Sequence, residues 1–187
     1  SADIGAGITY RFNDLLTTDF IISNGEGYKN LQSDDIYKYG LSVTANIPGN
    51  IFLKLYADQM ISDIAQRTYS IFIGANRNKY RLGAEYNYRE NENFNISNDL
   101  KGISLYATYI YNEKWEIFGR YDKLNSNIIG DEELPWNIYN DGSAIISGIQ
   151  YQAAEGVKFA LNYRDWYSFA ANGPDEAFIY VNLEFKL

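Results

Sequence analysis

The chain has 187 residues, a formal net charge of −8 and neither cysteine nor histidine; it carries 15 glycines, 18 tyrosines and 10 phenylalanines. That length predicts one domain, and the two missing residue types exclude a disulfide framework, a Ser/His or Cys/His nucleophile system and imidazole metal ligation. No apolar run approaches the ~20 residues of a spanning helix, but this leaves membrane strands open, because their alternation averages the hydropathy out.

No cleavable leader is visible at Ser1, so the chain reads as mature or trimmed. From Asp3 to Phe12, Ile4, Ala6, Ile8, Tyr10 and Phe12 alternate with Asp3, Gly5, Gly7, Thr9 and Arg11. Successive strand side chains point to opposite faces, so this is a strand with one apolar face. Asn13-Asp14 gives a turn, and residues 17–24 form a second strand with Phe20 and Ile22 on one face. A polar loop is expected over 25–35. Tyr37, Tyr39, Leu41, Val43, Ala45 and Ile47 mark a third strand, and Pro48-Gly49-Asn50 reverses the chain. Ile51, Leu53, Leu55 and Ala57 return opposite Phe52, Lys54, Tyr56 and Asp58, and residues 60–68 are expected to be a loop.

The pattern is clearest over residues 70–90, where two strands flank the turn 76–79. Tyr80, Leu82, Ala84, Tyr86 and Tyr88 share one face, and Arg81, Gly83, Glu85, Asn87 and Arg89 the other. Tyrosine near both strand ends with small aliphatics between suits a strand facing lipid, since the ring is apolar and the hydroxyl stays wet at the boundary. After a polar loop at 90–101, Ile103, Leu105, Ala107, Tyr109 and Tyr111 repeat the pattern. Residues 112–114 turn it, and Trp115, Ile117 and Tyr121 return with Glu116, Phe118, Arg120 and Asp122 behind them. The longest loop is expected at 123–142, with Pro135 and Trp136 either folding it into a pore or packing it on the rim. A strand over 143–152 and a turn at 153–156 lead to Val157, Phe159, Leu161 and Tyr163, opposite Lys158, Ala160, Asn162 and Arg164. After a loop at 167–176, the last strand sets Ala177, Ile179, Val181, Leu183, Phe185 and Leu187 against Phe178, Tyr180, Asn182, Glu184 and Lys186.

Short and long connections alternate, which predicts an all-β, antiparallel transmembrane β-barrel over residues 1–187, with short periplasmic turns and long extracellular loops. Ten connections join eleven strands. Bacterial single-chain barrels keep an even number, so ten to twelve strands are expected, the chain then being part of a larger barrel or closing on a degenerate strand.

Several segments carry a resemblance: 24–28 (NGEGY), 38–44 (KYGLSVT), 80–88 (YRLGAEYNY), 113–122 (EKWEIFGRYD), 134–137 (LPWN) and 148–166 (GIQYQAAEGVKFALNYRDW). Together they resemble the outer-membrane porins of Bacteroidetes, of the phosphate-selective porin O and P type. The resemblance runs from about Gly5 to the end. It implies a diffusion channel in a Gram-negative outer membrane, with arginine and lysine ladders in the lumen and more strands than are found here. The chain departs from the usual outer-membrane ending in Leu187, where phenylalanine is common.

The face opposite the aromatics holds Arg11, Lys38, Lys54, Arg81, Arg89, Arg120, Lys158, Arg164 and Lys186 against Asp3, Asp19, Asp58, Glu85, Glu116, Asp122 and Glu184. This wall stands at +2 while the chain stands at −8, because acids gather in the loops. Arg or Lys rings favour anions in a pore, so mild anion preference is expected, with Arg81, Arg89, Arg120, Arg164, Lys54, Lys158, Glu85, Glu116 and Asp122 as pore-lining candidates. The bland counterpart is that these charges pair and fill a narrow barrel. Acid clusters such as Asp34-Asp35 and Asp131–Glu133 lack the spaced ligands of a cation loop. No catalytic residue, cofactor or metal is expected. The expected partners are membrane lipid and lipopolysaccharide, small anions or other solutes, a second copy or another outer-membrane protein, and no nucleic acid. The other function class that fits is a non-conducting barrel that anchors or scaffolds a partner.

Overall fold

The computed structural model describes residues 3–25, 34–170 and 175–186. Among the described residues eleven strands form one sheet, each antiparallel to its neighbours in sequence. They are β1 (Gly5–Arg11), β2 (Leu16–Ser23), β3 (Lys38–Ile47), β4 (Ile51–Ile61), β5 (Ala65–Arg77), β6 (Tyr80–Glu90), β7 (Leu100–Ile110), β8 (Trp115–Ser126), β9 (Gly142–Ala154), β10 (Val157–Ser168) and β11 (Glu176–Phe185). Among the described residues a single 3-10 turn, Glu92–Phe94, interrupts the β6–β7 loop. At the β3–β4 reversal Gly49 and Asn50 take φ of 93° and 57°, left-handed values that glycine and asparagine tolerate best.

The strand centres agree with the alternation, but the ends differ. The expected loop at 60–68 is three residues long, 62–64, because β4 and β5 stay paired to Ile61↔Ala65. The apolar repeat fades there, but Met60↔Gln66 and Asp58↔Thr68 continue the ladder through backbone bonds that ignore side-chain polarity. One of the five expected long links is therefore short. The loop expected at 123–142 likewise shrinks to 127–141, and β10 runs on to Ser168. Most of the loop expected at 25–35, part of that at 167–176, and Leu187 lie outside the described residues.

The sheet has no covered core. Among the described residues only Met60 and Ala144 are buried apolar side chains, whereas Ile8 is 72% and Val181 77% exposed. Leu41, Leu55, Ile71, Leu82, Leu105, Ile117, Ile149 and Leu161 form an exposed aliphatic band across the middle of the outer face. An apolar area of that extent does not stand in water on a monomer; in lipid it is the expected outer wall. Aromatic pairs edge the band on both sides. Tyr80–Tyr109 (5.2 Å between ring centroids) and Trp115–Tyr151 (4.6 Å) lie toward the short turns, and Tyr69–Tyr88 (6.5 Å) toward the longer loops.

The inner face interlocks rings with glycines. A Cβ built on Gly83 would stand 3.0 Å from Cζ of Phe72 and 3.3 Å from Cδ2 of Tyr106. One on Gly74 would strike the rings of Phe52 and Phe72; Tyr56 lies in the same way over Gly40, Phe118 over Gly148 and Trp166 over Gly142. The missing side chains are therefore the seats of the rings, which pins neighbouring strands in register.

Among the described residues β1 pairs only with β2 and β11 only with β10, so the sheet is not closed. Eleven alternating strands leave β1 and β11 running in the same direction. Their outer edges expose backbone N–H and C=O groups that hydrocarbon cannot satisfy, so both edges require cover in a membrane.

Candidate functional site

The ladder places all the candidate lining residues on one face. Across β4 to β9 one row reads Lys54↔Phe72↔Glu85↔Ser104↔Asp122↔Ala144, a second Phe52↔Gly74↔Gly83↔Tyr106↔Arg120↔Ile146, and a third Asn76↔Arg81↔Thr108↔Phe118↔Gly148. Period-two alternation fixes this: once Arg81 faces inward, so must Glu85 and Arg89.

Much of the inward charge is paired. Arg81 on β6 meets Glu116 on β8 across the one strand between them, and Gln150 donates to the same carboxylate oxygen at 3.3 Å. Arg120 forms a two-pronged contact with Asp122, its Nε 2.7 and 2.9 Å from the two oxygens. Arg89 reaches Glu92 at 2.8 Å and Thr68 at 3.2 Å near the loop end of β6. Lys38 bonds Asp3 at 2.6 Å. Asn87 donates to Glu85 at 2.7 Å, so Glu85 and Glu116 have separate donors and do not form a carboxylate couple. Among the described residues Lys54, Lys158 and Arg164 form no ion pair within 4.0 Å.

The candidates do not converge on one point. Arg81, Glu116, Arg120 and Lys158 share a recess of about 440 Å³ with Tyr106, Phe118 and Gln150. Lys54 stands on β4 opposite Phe72, Arg89 sits at the rim, and Arg164 lies on β10 between Ile146 and Phe178. The wall is thus charged along its height rather than focused in one ring. The sequence pattern already places Phe52 and Phe118 inward, but counting charges passes over them. The signal for the rings is the glycine opposite each on the next strand, Gly74 for Phe52 and Gly148 for Phe118.

The longest loop packs on the rim. Trp136 Nε1 donates to the Asp99 carbonyl at 3.2 Å, and Asn127 ties the same loop to Ser97 and Asp99 at 2.9 Å each. Asp141, 1% exposed, accepts from Ser126 N–H at 2.9 Å and Oγ–H at 2.6 Å. The β6–β7 and β8–β9 loops are therefore one bonded unit.

No protein-family model and no curated protein matches the sequence. The fold does match solved structures. A NanC porin aligns over 97% of this chain and 91% of its own, at 10% identity and a TM-score of 0.54. OccAB4 of Acinetobacter baumannii aligns over 97% of this chain and 54% of its own, at 11% identity and a TM-score of 0.68. The chain spans about half the length of that second protein. With an apolar outer wall, a polar inner wall and this likeness, the chain has the fold of a porin-type transmembrane β-barrel.

Proposed function

We propose that the protein is a porin of a bacterial outer membrane that lets small hydrophilic solutes diffuse passively, with a mild preference for anions. The observation that carries this is the division of one continuous sheet into an exposed aliphatic face edged by aromatics and an opposite face of charged and amide side chains. Lipid suits the first and a water-filled lumen the second. Anion preference rests on Lys54, Lys158 and Arg164, cations without an ion pair among the described residues, and on the resemblance to phosphate-selective porins. It is mild because Glu116 and Asp122 offset Arg81 and Arg120.

The test is reversal potential in planar bilayers under a KCl gradient. Wild type is expected to favour chloride, and Arg120→Glu, which also leaves Asp122 without its partner, to shift toward potassium. An unmoved potential removes Arg120 from the ion path. Absence of conductance at every voltage sinks the porin function and favours a scaffold.

A further inference from the structure

Phe52, Phe72 and Tyr106 form a row of rings across β4, β5 and β7 on the inner face. Phe52 and Phe72 are stacked at 5.3 Å with 26° between planes, and Phe72 and Tyr106 are 6.2 Å apart at 55°. The Arg120 guanidinium continues the row, its carbon 4.9 Å from the Tyr106 centroid. Gly74 and Gly83 lie beneath these rings, and any side chain there would lift them from the sheet. The edges of the Phe52 and Phe72 rings lie over these glycines, and the row borders a recess on the inner face. Barrel strands tilt by about 35–45°, so a row that crosses strands also climbs along the pore axis.

Polar groups flank the row. One recess, of about 270 Å³, holds Phe52, Phe72, Tyr106, Asn76, Arg81 and Thr108; the recess that contains the Arg81–Glu116 pair shares Arg81, Tyr106 and Thr108 with it. On the other side Tyr106 Oη lies 3.4 Å from Glu85, which Asn87 also bonds. Donor and acceptor therefore stand side by side: guanidinium beside carboxylate, amide beside carboxylate. The Arg81–Glu116 pair is close to neutral as a unit, and around Glu85 the Asn87 amide and the Tyr106 hydroxyl are uncharged donors, so the flanks offer partners for hydroxyls on both sides of the row.

From this juxtaposition we infer that the row is a track for neutral pyranose sugars, an inference that rests on the protein being a porin. A pyranose ring has an apolar C–H face that lies on an aromatic ring and a rim of hydroxyls that donate and accept together. Apolar faces that orient a solute, with a few polar groups that fix it, are the usual composition of a small-molecule site. A linear polyether offers no such face and a free anion needs none. The track thus separates ring sugars from other solutes of equal size.

The test uses maltotriose on single channels of the full-length protein in KCl. Each variant's block is normalised to its own open current. Maltotriose is expected to block saturably and reversibly, and a polyethylene glycol of equal mass much less. Phe72→Leu and Tyr106→Leu keep apolar bulk but lose the flat face. Each is expected to raise the half-blocking concentration about tenfold, equivalent to about 1.4 kcal/mol. Heat-modifiable migration checks that each variant folds. Asn182→Ala, on β11 away from the row, is the comparison and should block like wild type. Conductance with no maltotriose block, or with equal block by the polyether, overturns the track and leaves the porin standing. Wild-type block in both leucine variants also overturns it. Absence of conductance overturns the porin and the track together.

Discussion

The lipid-facing assignment makes Leu105→Arg a quantitative test. Leu105 is the sixth of the eleven residues of β7, faces outward and is 48% exposed. Five residues separate it from each strand end, which at ~3.4 Å per residue is about 17 Å along the strand. A tilt of about 40° projects this to about 13 Å along the membrane normal, half the ~25 Å apolar band. The site is therefore at the midplane, where arginine on the lipid face costs about 2–4 kcal/mol. Ala84 and Tyr121, its ladder partners, offer no counter-charge. Ser70→Arg on the inner face of β5, between Tyr56 and Asn87, meets water and should cost less than about 1 kcal/mol, as lumenal substitutions are tolerated. Urea unfolding in phospholipid vesicles measures both. Equal destabilisation by the two variants, or none by Leu105→Arg, would show that the faces have been assigned the wrong way round.

Gly148→Ala should destabilise more than Gly83→Ala in the same assay. Its Cβ would meet the Leu161 carbonyl at 2.6 Å, a backbone atom that cannot swing aside, whereas at Gly83 the obstacle is the Phe72 ring tip at 3.0 Å; overpacking of the first kind costs about 1–3 kcal/mol. Asp141→Ala removes the acceptor that holds Ser126, a loss of about 1–3 kcal/mol for a buried partner. It should speed cleavage after Glu132 and Glu133 by a glutamate-specific protease, and an unchanged cleavage rate would mean that the loop is held elsewhere.

Strand number, strand direction and the faces were legible because they rest on a period of two, which any run of five or six residues displays. Tyr80–Tyr88 and Val157–Arg164 show both faces in full. Strand ends were not legible where polarity and pairing part company. Gln59, Met60 and Gln66 carry no alternation, but the β4–β5 ladder runs through them to Ile61↔Ala65, since a hairpin extends as long as its backbone groups meet. Charge pairing was also hidden. Arg81 and Glu116 are 35 residues apart, and which acid a given arginine reaches depends on stagger across the strand between them. The aromatic row was hidden for the same reason: Phe52, Phe72 and Tyr106 come from three strands, and their glycine seats at 74 and 83 sit on the strands beside them.

Pairing also changes what the net charge of the wall means. A count of inward residues weights every charge alike, but a solute in the lumen responds to the field it meets. At 0.1 M salt that field falls off over about 10 Å. Arg81 and Glu116 touch, as do Arg120 and Asp122, so beyond a few ångströms each pair acts as a dipole rather than as two charges. The long-range field must then come from cations such as Lys158, which shares the recess with the Arg81–Glu116 pair and with Arg120. Removing a whole pair with Arg81→Gln/Glu116→Gln deletes two charged side chains and should leave the KCl reversal potential almost where it was. Lys158→Gln deletes one and should move the potential toward cation preference. A pair deletion that shifts the potential as far as Lys158→Gln would mean that the arginine and the glutamate act separately on passing ions, and that a sum over inward residues describes the pore better than its contacts do.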